Sequence, residues 1–263
     1  MVSGTKGRGF ESLRAYHLKN YELMQEKTLT VGIIGLGSFG VFLAGLIPEG
    51  VRVIGYDPHA TTDDIEIADF PAVVAADIVI LAVPLQALRT VLERLKTVVR
   101  PETLLVDVCS VKTKPQDIYA NILPGHANLL FTHPLFGPQS AATGTKDHQL
   151  IVTKSSGALA ERVVTFCEQK LQLRISRMSA DEHDQVMARV HALTFFVARA
   201  LGDMQLQEEA FMTPSYDMLM DLVKLDRSHS EELFQTVEQG NPYARQERER
   251  LLASFAGIEA KLK

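Results

Sequence analysis

Two short runs in this sequence carry polar side chains where buried strands are predicted to end. His133 lies in THPLFGP (Thr132–Pro138), a Pro/Gly turn that follows the apolar run NLLF. Ser110 lies in DVCSVK, directly after the apolar run TLLV. A neutral imidazole accepts a proton from a hydroxyl near pH 7, so His133 is a candidate general base and Ser110 a candidate partner. The alternative for His133 is a structural hydrogen bond to nearby backbone.

A third run, GLGSFG (Gly35–Gly40), has the spacing of a dinucleotide-binding turn. It follows a β-rich segment and precedes a helical pattern, which is the context that this motif requires. The first glycine would allow the tight turn, the second the close approach of a pyrophosphate, and the third the packing of helix on strand. The alternative is a glycine-rich turn without a ligand. The predicted cofactor-binding residues are Gly35, Leu36, Gly37, Ser38, Phe39, Gly40, Asp57, Val83, Pro84 and Ser110.

Asp57 ends the second predicted strand, VIGYDP. A carboxylate at this position accepts hydrogen bonds from a ribose hydroxyl and repels a 2′-phosphate. No arginine follows in PHATTDD to neutralise such a phosphate. The sequence therefore predicts NAD as the cofactor in preference to NADP.

These residues need a parallel sheet to bring strand ends together. From Thr30 to about Ser179, near-continuous Val/Ile/Leu runs alternate with helical patterns, as in parallel sheets covered on both faces. We predict an α/β fold, a Rossmann-type doubly wound and mostly parallel sheet over residues 30–179. Ligands of such sheets bind beyond the carboxyl ends of the strands, where His133 and Ser110 lie.

The pattern becomes helical after Ser179. The run Ser179–Glu182 fits a capping box that opens a helix to about Met204. One predicted apolar stripe of this helix carries Val186, Val190, Leu193, Val197 and Leu201. We predict a smaller all-helical domain over residues 180–263, and residues 1–29 are an extension of unknown role. A helical domain of this size makes self-association as a homodimer plausible.

Composition excludes several classes of function. The 263 residues carry a net charge of −5, so no basic footprint for nucleic acid is present. No apolar run has the length of a membrane span. Cys109 and Cys167 match no metal or redox spacing, and we predict no metal site. The expectation is a reduced, cytoplasmic protein.

Taken together, GLGSFG, DVCSVK, THPLFGP and ADEHD resemble the prephenate/arogenate dehydrogenases of tyrosine biosynthesis, most closely the plant-like arogenate dehydrogenases. The resemblance implies a nucleotide-binding domain, a helical dimer-forming domain, and an active site between them. It implies NAD(P)-dependent oxidation and decarboxylation of a cyclohexadienol. His133 would take the proton of the ring hydroxyl, and Ser110 would contact the same region of substrate and cofactor.

Three residues of the helical domain are candidates for substrate binding. His183 matches a family histidine, either as a structural residue at the domain junction or as a ligand. The family's next histidine, twelve residues later, is replaced by Phe195; His191, one turn earlier, either serves the same pocket or only packs in the helix. Asp221 aligns with an arginine of prephenate-specific members, where an acid accompanies arogenate use. The alternative for Asp221 is a solvated helix residue.

The leading hypothesis is an NAD-dependent arogenate dehydrogenase that makes tyrosine. The alternatives are a prephenate dehydrogenase that makes 4-hydroxyphenylpyruvate and, more distantly, a 3-hydroxyacid or imine reductase on the same fold. A hypothesis of another class is a dinucleotide-binding regulator without catalysis, which Phe195 keeps open.

Overall fold

The computed structural model describes residues 29–59 and 62–263. The predicted N-terminal extension therefore lies almost entirely outside the described residues. The strands are β1 (Thr30–Ile34), β2 (Arg52–Tyr56), β3 (Glu66–Ile67), β4 (Ile78–Leu81), β5 (Leu104–Asp107), β6 (Leu129–Pro134), β7 (Gln149–Ser155) and β8 (Arg174–Arg177). The helices are α1 (Ser38–Ala44), α2 (Phe70–Val74), α3 (Leu85–Leu95), α4 (Thr113–Ile122), α5 (Ala158–Gln169), α6 (Ala180–Met187), α7 (Leu193–Asp203), α8 (Pro214–Arg227), α9 (Glu231–Gly240) and α10 (Ala244–Leu262).

The eight strands form one sheet in the order β3-β2-β1-β4-β5-β6-β7-β8. Every neighbouring pair is parallel except β6 and β7, which are antiparallel. The order reverses between β1 and β4, which is the switch point where open α/β sheets bind ligands. The predicted fold, a Rossmann-type and mostly parallel sheet followed by helices, is confirmed.

The strands are apolar on both faces, because helices cover both sides of the sheet. On one side, strand residues such as Leu81 and Phe131 pack against the buried leucines of α3. On the other side, Ile33 and Leu130 pack with Val164 of α5. Burial on both faces explains why these strands read as continuous hydrophobic runs.

The helical region begins at the predicted capping box. Ser179 Oγ accepts a hydrogen bond from the backbone N–H of Glu182 at 3.2 Å, and the Glu182 carboxylate accepts one from Ser179 N at 2.8 Å. The helix continues to Asp203, with a π-helical turn over Ala188–Ala192 between α6 and α7.

The predicted apolar stripe of this helix is not the face that packs inside the chain. Val186 and Val190 are 36% and 59% exposed. The buried positions are His183, Asp184, Met187, Ala188, Ala192, Phe195 and Ala198. The predicted helix is confirmed, but periodicity did not identify its core-facing stripe, which carries a buried polar pair and small alanines.

Within the described residues, no helix combines the length and the hydrophobicity that a bilayer-spanning segment needs.

Candidate active site

The glycines of the turn between β1 and α1 have two different roles. Gly35 has φ +95°, and a Cβ there would lie 2.5 Å from the carbonyl oxygen of Ala82. A Cβ on Gly40 would lie 2.0 Å from the carbonyl oxygen of Gly35. Both glycines are therefore required by the fold itself.

Gly37 differs, because among the described residues no atom lies within 4 Å of the Cβ that it lacks. Its backbone is extended, with φ −66° and ψ −179°, and it precedes the first residue of α1. The open space lies at a helix N-terminus whose first N–H groups lack intrahelical partners. This is a cradle that a side chain would fill, and it fits the pyrophosphate of a dinucleotide.

Asp57 is held against the same turn. Its carboxylate accepts hydrogen bonds from the backbone N–H of Leu36 at 2.9 Å and of His59 at 2.8 Å. An ionised carboxylate has about four lone-pair sites, so it retains acceptor capacity after these two bonds. The structure thus places a fixed negative charge beside the cradle.

The remaining predicted cofactor residues lie at the same edge of the sheet. Val83 Cγ1 is 3.0 Å from the Cβ position of Gly35, and Pro84 occupies the N-cap position of α3. Ser38 is exposed, and Phe39 and Ser110 are half-buried. Ser110 follows β5, the neighbour of β4 in the sheet.

His133 lies near the end of β6 and is only 4% exposed. Its Nδ1 is 2.9 Å from Nε2 of His183, and its ring stacks on His191 with centroids 5.7 Å apart and planes 21° apart. The described partner of this histidine is thus a side chain of the helical region. All three predicted histidines, 133, 183 and 191, are brought into one cluster.

Asp184 completes this cluster and was missed by the sequence reasoning. One carboxylate oxygen accepts from Nδ1 of His183 at 2.8 Å and from Lys112 N at 2.9 Å, and the other accepts from Thr113 N at 2.9 Å. The carboxylate therefore caps the N-terminus of α4 from across the junction. The signal was present in the run ADEHD, where this acid directly follows the histidine.

The lysine of DVCSVK, Lys112, links two neighbouring strands. Lys112 is fully buried, and its ammonium pairs with the Asp107 carboxylate and donates to the carbonyl oxygen of Thr132 at 2.6 Å. It ties the end of β5 to the residue before His133. A buried charge is retained only when paired and hydrogen-bonded in this way.

Burial keeps the clustered imidazoles neutral. Desolvation, with smaller contributions from His191, His183 and Lys112, holds the pKa of His133 well below its usual range. Desolvation also lowers the pKa of His183, against the opposing hydrogen bond to Asp184. Burial, with His229 and His183 nearby, lowers the pKa of His191 to about 4. At pH 7 these rings are therefore neutral, and each keeps a nitrogen lone pair that can accept a hydrogen bond.

A second missed residue, His229, extends the aromatic stack. The Phe195 ring meets the His191 ring edge to face, with ring centroids 4.4 Å apart. It stacks on the His229 ring with centroids 4.8 Å apart. The buried Nδ1 of His229 has no hydrogen-bond partner within the part of the chain that the structure describes. No motif surrounds this histidine, so sequence reasoning had nothing to select it by.

Asp221 lies on α8 and is exposed. Its negative charge contributes to the raised pKa of Lys224, behind the larger effect of Glu208. Across residues 29–59 and 62–263, no described contact joins Asp221 to the histidine cluster. Its role in substrate binding stays a prediction.

The family described as "Prephenate dehydrogenase, nucleotide-binding domain" matches residues 49–164. Arogenate dehydrogenase 1, chloroplastic, of Arabidopsis thaliana is 29% identical over 89% of this chain and 39% of its own length. Arogenate dehydrogenase 2, chloroplastic, of the same plant is 28% identical over 92% of this chain and 72% of its own. The chain thus spans well under half of the first relative and about seven-tenths of the second.

Among solved structures, prephenate dehydrogenase from A. aeolicus, in complex with hydroxyphenyl propionate and NAD+, has a TM-score of 0.66. It is 20% identical, and the match covers 90% of this chain and 88% of that one. At this identity the likeness supports the fold.

Proposed function

We propose that this chain, which belongs to the prephenate/arogenate dehydrogenase family, catalyses the oxidative decarboxylation of arogenate to tyrosine with NAD. The observation that carries the proposal is the position of His133. It is a buried, neutral imidazole at the end of β6, on the sheet edge that also holds the glycine turn. A base and a dinucleotide cradle on one edge suit removal of a proton from a hydroxyl group and of a hydride from the carbon that bears it.

Each part of the site has its own role in the proposed reaction. Gly35–Gly40 and Asp57 would hold the dinucleotide, which supplies the hydride acceptor when bound. His133 has Nδ1 engaged by His183, so Nε2 is the nitrogen left to take the proton of the ring hydroxyl. Ser110, at the neighbouring strand end, would orient that hydroxyl. The substrate loses its ring carboxylate as CO2, and aromatisation supplies driving force that the protein does not have to provide.

Asp57 supports NAD in preference to NADP. Its carboxylate is fixed by two backbone N–H groups and cannot easily swing away from a 2′-phosphate. The two negative charges of such a phosphate would be repelled by the negative charge of Asp57.

Two observations support arogenate as the substrate. The two plant relatives are named arogenate dehydrogenases. Arogenate also carries an ammonium where prephenate carries a keto group, and Asp221 is the acid that would attract it. Because Asp221 is exposed, a pair about 4 Å apart is worth nearer 1 kcal/mol than the ~4 kcal/mol of a partly buried pair. The expected preference from Asp221 is therefore several-fold.

The proposed assembly is a homodimer through the helical region. Exposed apolar residues lie on the first helix of that region and on α10, namely Val186, Val190, Leu252, Phe255 and Ile258. An apolar surface of this kind is typical of an interface between subunits. Light scattering coupled to size exclusion tests it, and a mass of one chain would contradict it.

The function is tested by NADH formation with arogenate and prephenate measured side by side. We expect kcat/KM for arogenate to be higher than kcat/KM for prephenate. A higher value for prephenate would reassign the substrate. Binding of NAD with no turnover of either compound would instead support the non-catalytic regulator.

Asp221→Asn tests the source of the preference, and Asp217→Asn is its matched control. Asp217 lies one turn earlier on α8 and is also exposed. Asp221→Asn should lower kcat/KM for arogenate several-fold and leave prephenate unchanged or improved, whereas Asp217→Asn should change neither. Equal effects of the two substitutions would remove Asp221 from the substrate site.

A further inference from the structure

A hydrogen-bonded chain of three buried side chains runs behind the candidate base. It begins at Asp184, passes through His183 and ends at His133, with distances of 2.8 Å and 2.9 Å. Asp184 and His183 are 0% exposed, and His133 is 4% exposed. Each link has one donor and one acceptor, so the state of the first member dictates the protonation of the last.

Asp184 is held as an ionised acceptor. Burial raises the pKa of its carboxyl, but hydrogen bonds from His183, Thr113 and Lys112 outweigh burial and leave that pKa lowered. Both of its oxygens are engaged as acceptors by N–H groups, and the ionised carboxylate has no proton to give. Nδ1 of His183 must therefore carry the hydrogen of the first link.

The second link follows from the first. Neutral His183 with its proton on Nδ1 offers only a lone pair at Nε2. Nδ1 of His133 must then be the donor to His183, which leaves Nε2 of His133 without a proton. In the reverse polarity, Nε2 of His133 would carry hydrogen and could not act as a base.

We propose that Asp184 and His183 are positioning residues that hold His133 as the Nδ1–H tautomer, with Nε2 free to take the substrate's proton. The tautomer is an inference about the folded chain itself; only its use in catalysis rests on the function proposed above. A histidine's tautomer is set by the bond that its other nitrogen makes, and this chain supplies that bond from the helical region.

The same chain provides a destination for positive charge. When Nε2 of His133 takes the hydroxyl proton, its Nδ1 proton can pass to Nε2 of His183. His133 is then neutral again, and His183 becomes an imidazolium bonded to the Asp184 carboxylate. No proton is created or lost in this transfer.

The surrounding charges favour that destination. His133 faces His191, His183 and Lys112, and each of these disfavours a positive charge on it beyond the dominant cost of burial. His183 also faces burial and Lys112, but Asp184 and Asp107 both stabilise its charged form. The carboxylates of the cluster are therefore arranged around the second histidine of the chain.

Nitrogen NMR of the full-length protein with 15N-labelled histidine tests the tautomer directly. We expect His133 to show a protonated Nδ1 and an unprotonated Nε2 at pH 7. His126 is an internal reference, because its Nε2 is 2.8 Å from the carbonyl oxygen of Thr103 and so carries the hydrogen. A wild-type His133 with its hydrogen on Nε2 would overturn the proposal, whatever any variant does.

Asp184→Asn tests the cause. It should move the His133 signals toward the Nε2–H form and lower kcat by roughly 10²–10⁴, the range for losing a general base, with NAD affinity kept. Asn241→Ala is the matched control: it removes a 2.8 Å hydrogen bond to the backbone carbonyl of Asp184 but keeps the carboxylate. It should lower the melting temperature and leave the tautomer unchanged.

A purely structural role predicts something different. Asp184→Asn and Asn241→Ala would then lower stability and kcat in parallel, and the His133 signals would stay as in the wild type. The NMR measurement needs no substrate, so the expected tautomer with no turnover of either dienol contradicts the proposed function alone. Turnover by a protein in which His133 carries its hydrogen on Nε2 contradicts only the inference about the Asp184–His183–His133 hydrogen bonds.

Discussion

The two halves of the candidate site are built from different parts of the polypeptide. The dinucleotide half uses mainly backbone: a glycine turn, an open position at Gly37 and a helix N-terminus, with the Asp57 carboxylate bound to the turn. The proton-handling half uses buried side chains, in which Asp184, His183 and His133 depend on one another.

This difference predicts how each half tolerates change. At the open position of the backbone half, Gly37, an added side chain should block the ligand without disturbing the rest of the fold. A site made of linked buried polar groups fails when any link is removed, because the remaining members lose partners in a place that water does not reach. Four experiments test whether the two halves differ in this way.

His133→Asn removes the base from the side-chain half. We expect kcat to fall by roughly 10²–10⁴ while NAD affinity is retained, because in the proposed function the imidazole takes a proton and the backbone half binds the dinucleotide. Steady-state kinetics and NAD titration measure the two effects. His126→Asn, the same substitution before β6 at the opposite edge of the sheet, should leave kcat unchanged. Unchanged turnover in His133→Asn would remove this residue from the chemistry.

Acidification should destabilise the histidine cluster. His133, His183, His191 and His229 all have lowered pKa values in the folded chain, chiefly through burial. Below about pH 6.5, histidines in the unfolded chain bind protons, whereas the buried rings stay neutral. The free energy of unfolding is therefore at its full value above that pH and decreases as pH falls.

His191, with its pKa near 4, should alone account for up to about 3 kcal/mol of this loss. Urea unfolding at several values between pH 7.5 and pH 4.5 measures it. His191→Asn should flatten the pH dependence, and an equally steep dependence in that variant would contradict the assignment.

Gly37→Val places a side chain in the backbone half. Its φ is negative and its surroundings are open, so the melting temperature should hold while NAD affinity falls about tenfold or more. Gly125→Val is the control, since the Cβ position of Gly125 also has no described atom within 4 Å. Both variants should fold, and only the first should weaken NAD. Equal NAD affinity in the two proteins would refute the cradle.

Asp57→Asn is the mildest test. It keeps a side-chain oxygen for one of the two backbone donors, Leu36 N or His59 N, but removes the negative charge. We expect the ratio of NAD to NADP affinity to fall by about tenfold or less, as repulsion of a 2′-phosphate is relieved. Isothermal titration with both dinucleotides gives the ratio, and an unchanged ratio would show that Asp57 does not select the cofactor.

The sheet and the glycine turn were predictable because their signals are local. Strand runs, Gly35–Gly40 and the capping box at Ser179 each require neighbouring residues to satisfy a nearby steric or hydrogen-bonding demand. For the helix after Ser179, local signals predicted the helix but not which of its faces is buried. Its apolar stripe at Val186 and Val190 is exposed, since periodicity identifies a hydrophobic face but not the surface that the face meets.

Local sequence patterns were enough to predict the α/β fold, the glycine turn, and the placement of His133 and Ser110 at neighbouring strand ends. The folded structure was needed to show that His183 and Asp184, some fifty residues further along, form one hydrogen-bonded row behind His133. It also brought His229 into the stack on Phe195 and left Asp221 exposed. The physical reason is that a buried hydrogen bond depends on distance and direction in space, and residue spacing along the chain carries neither.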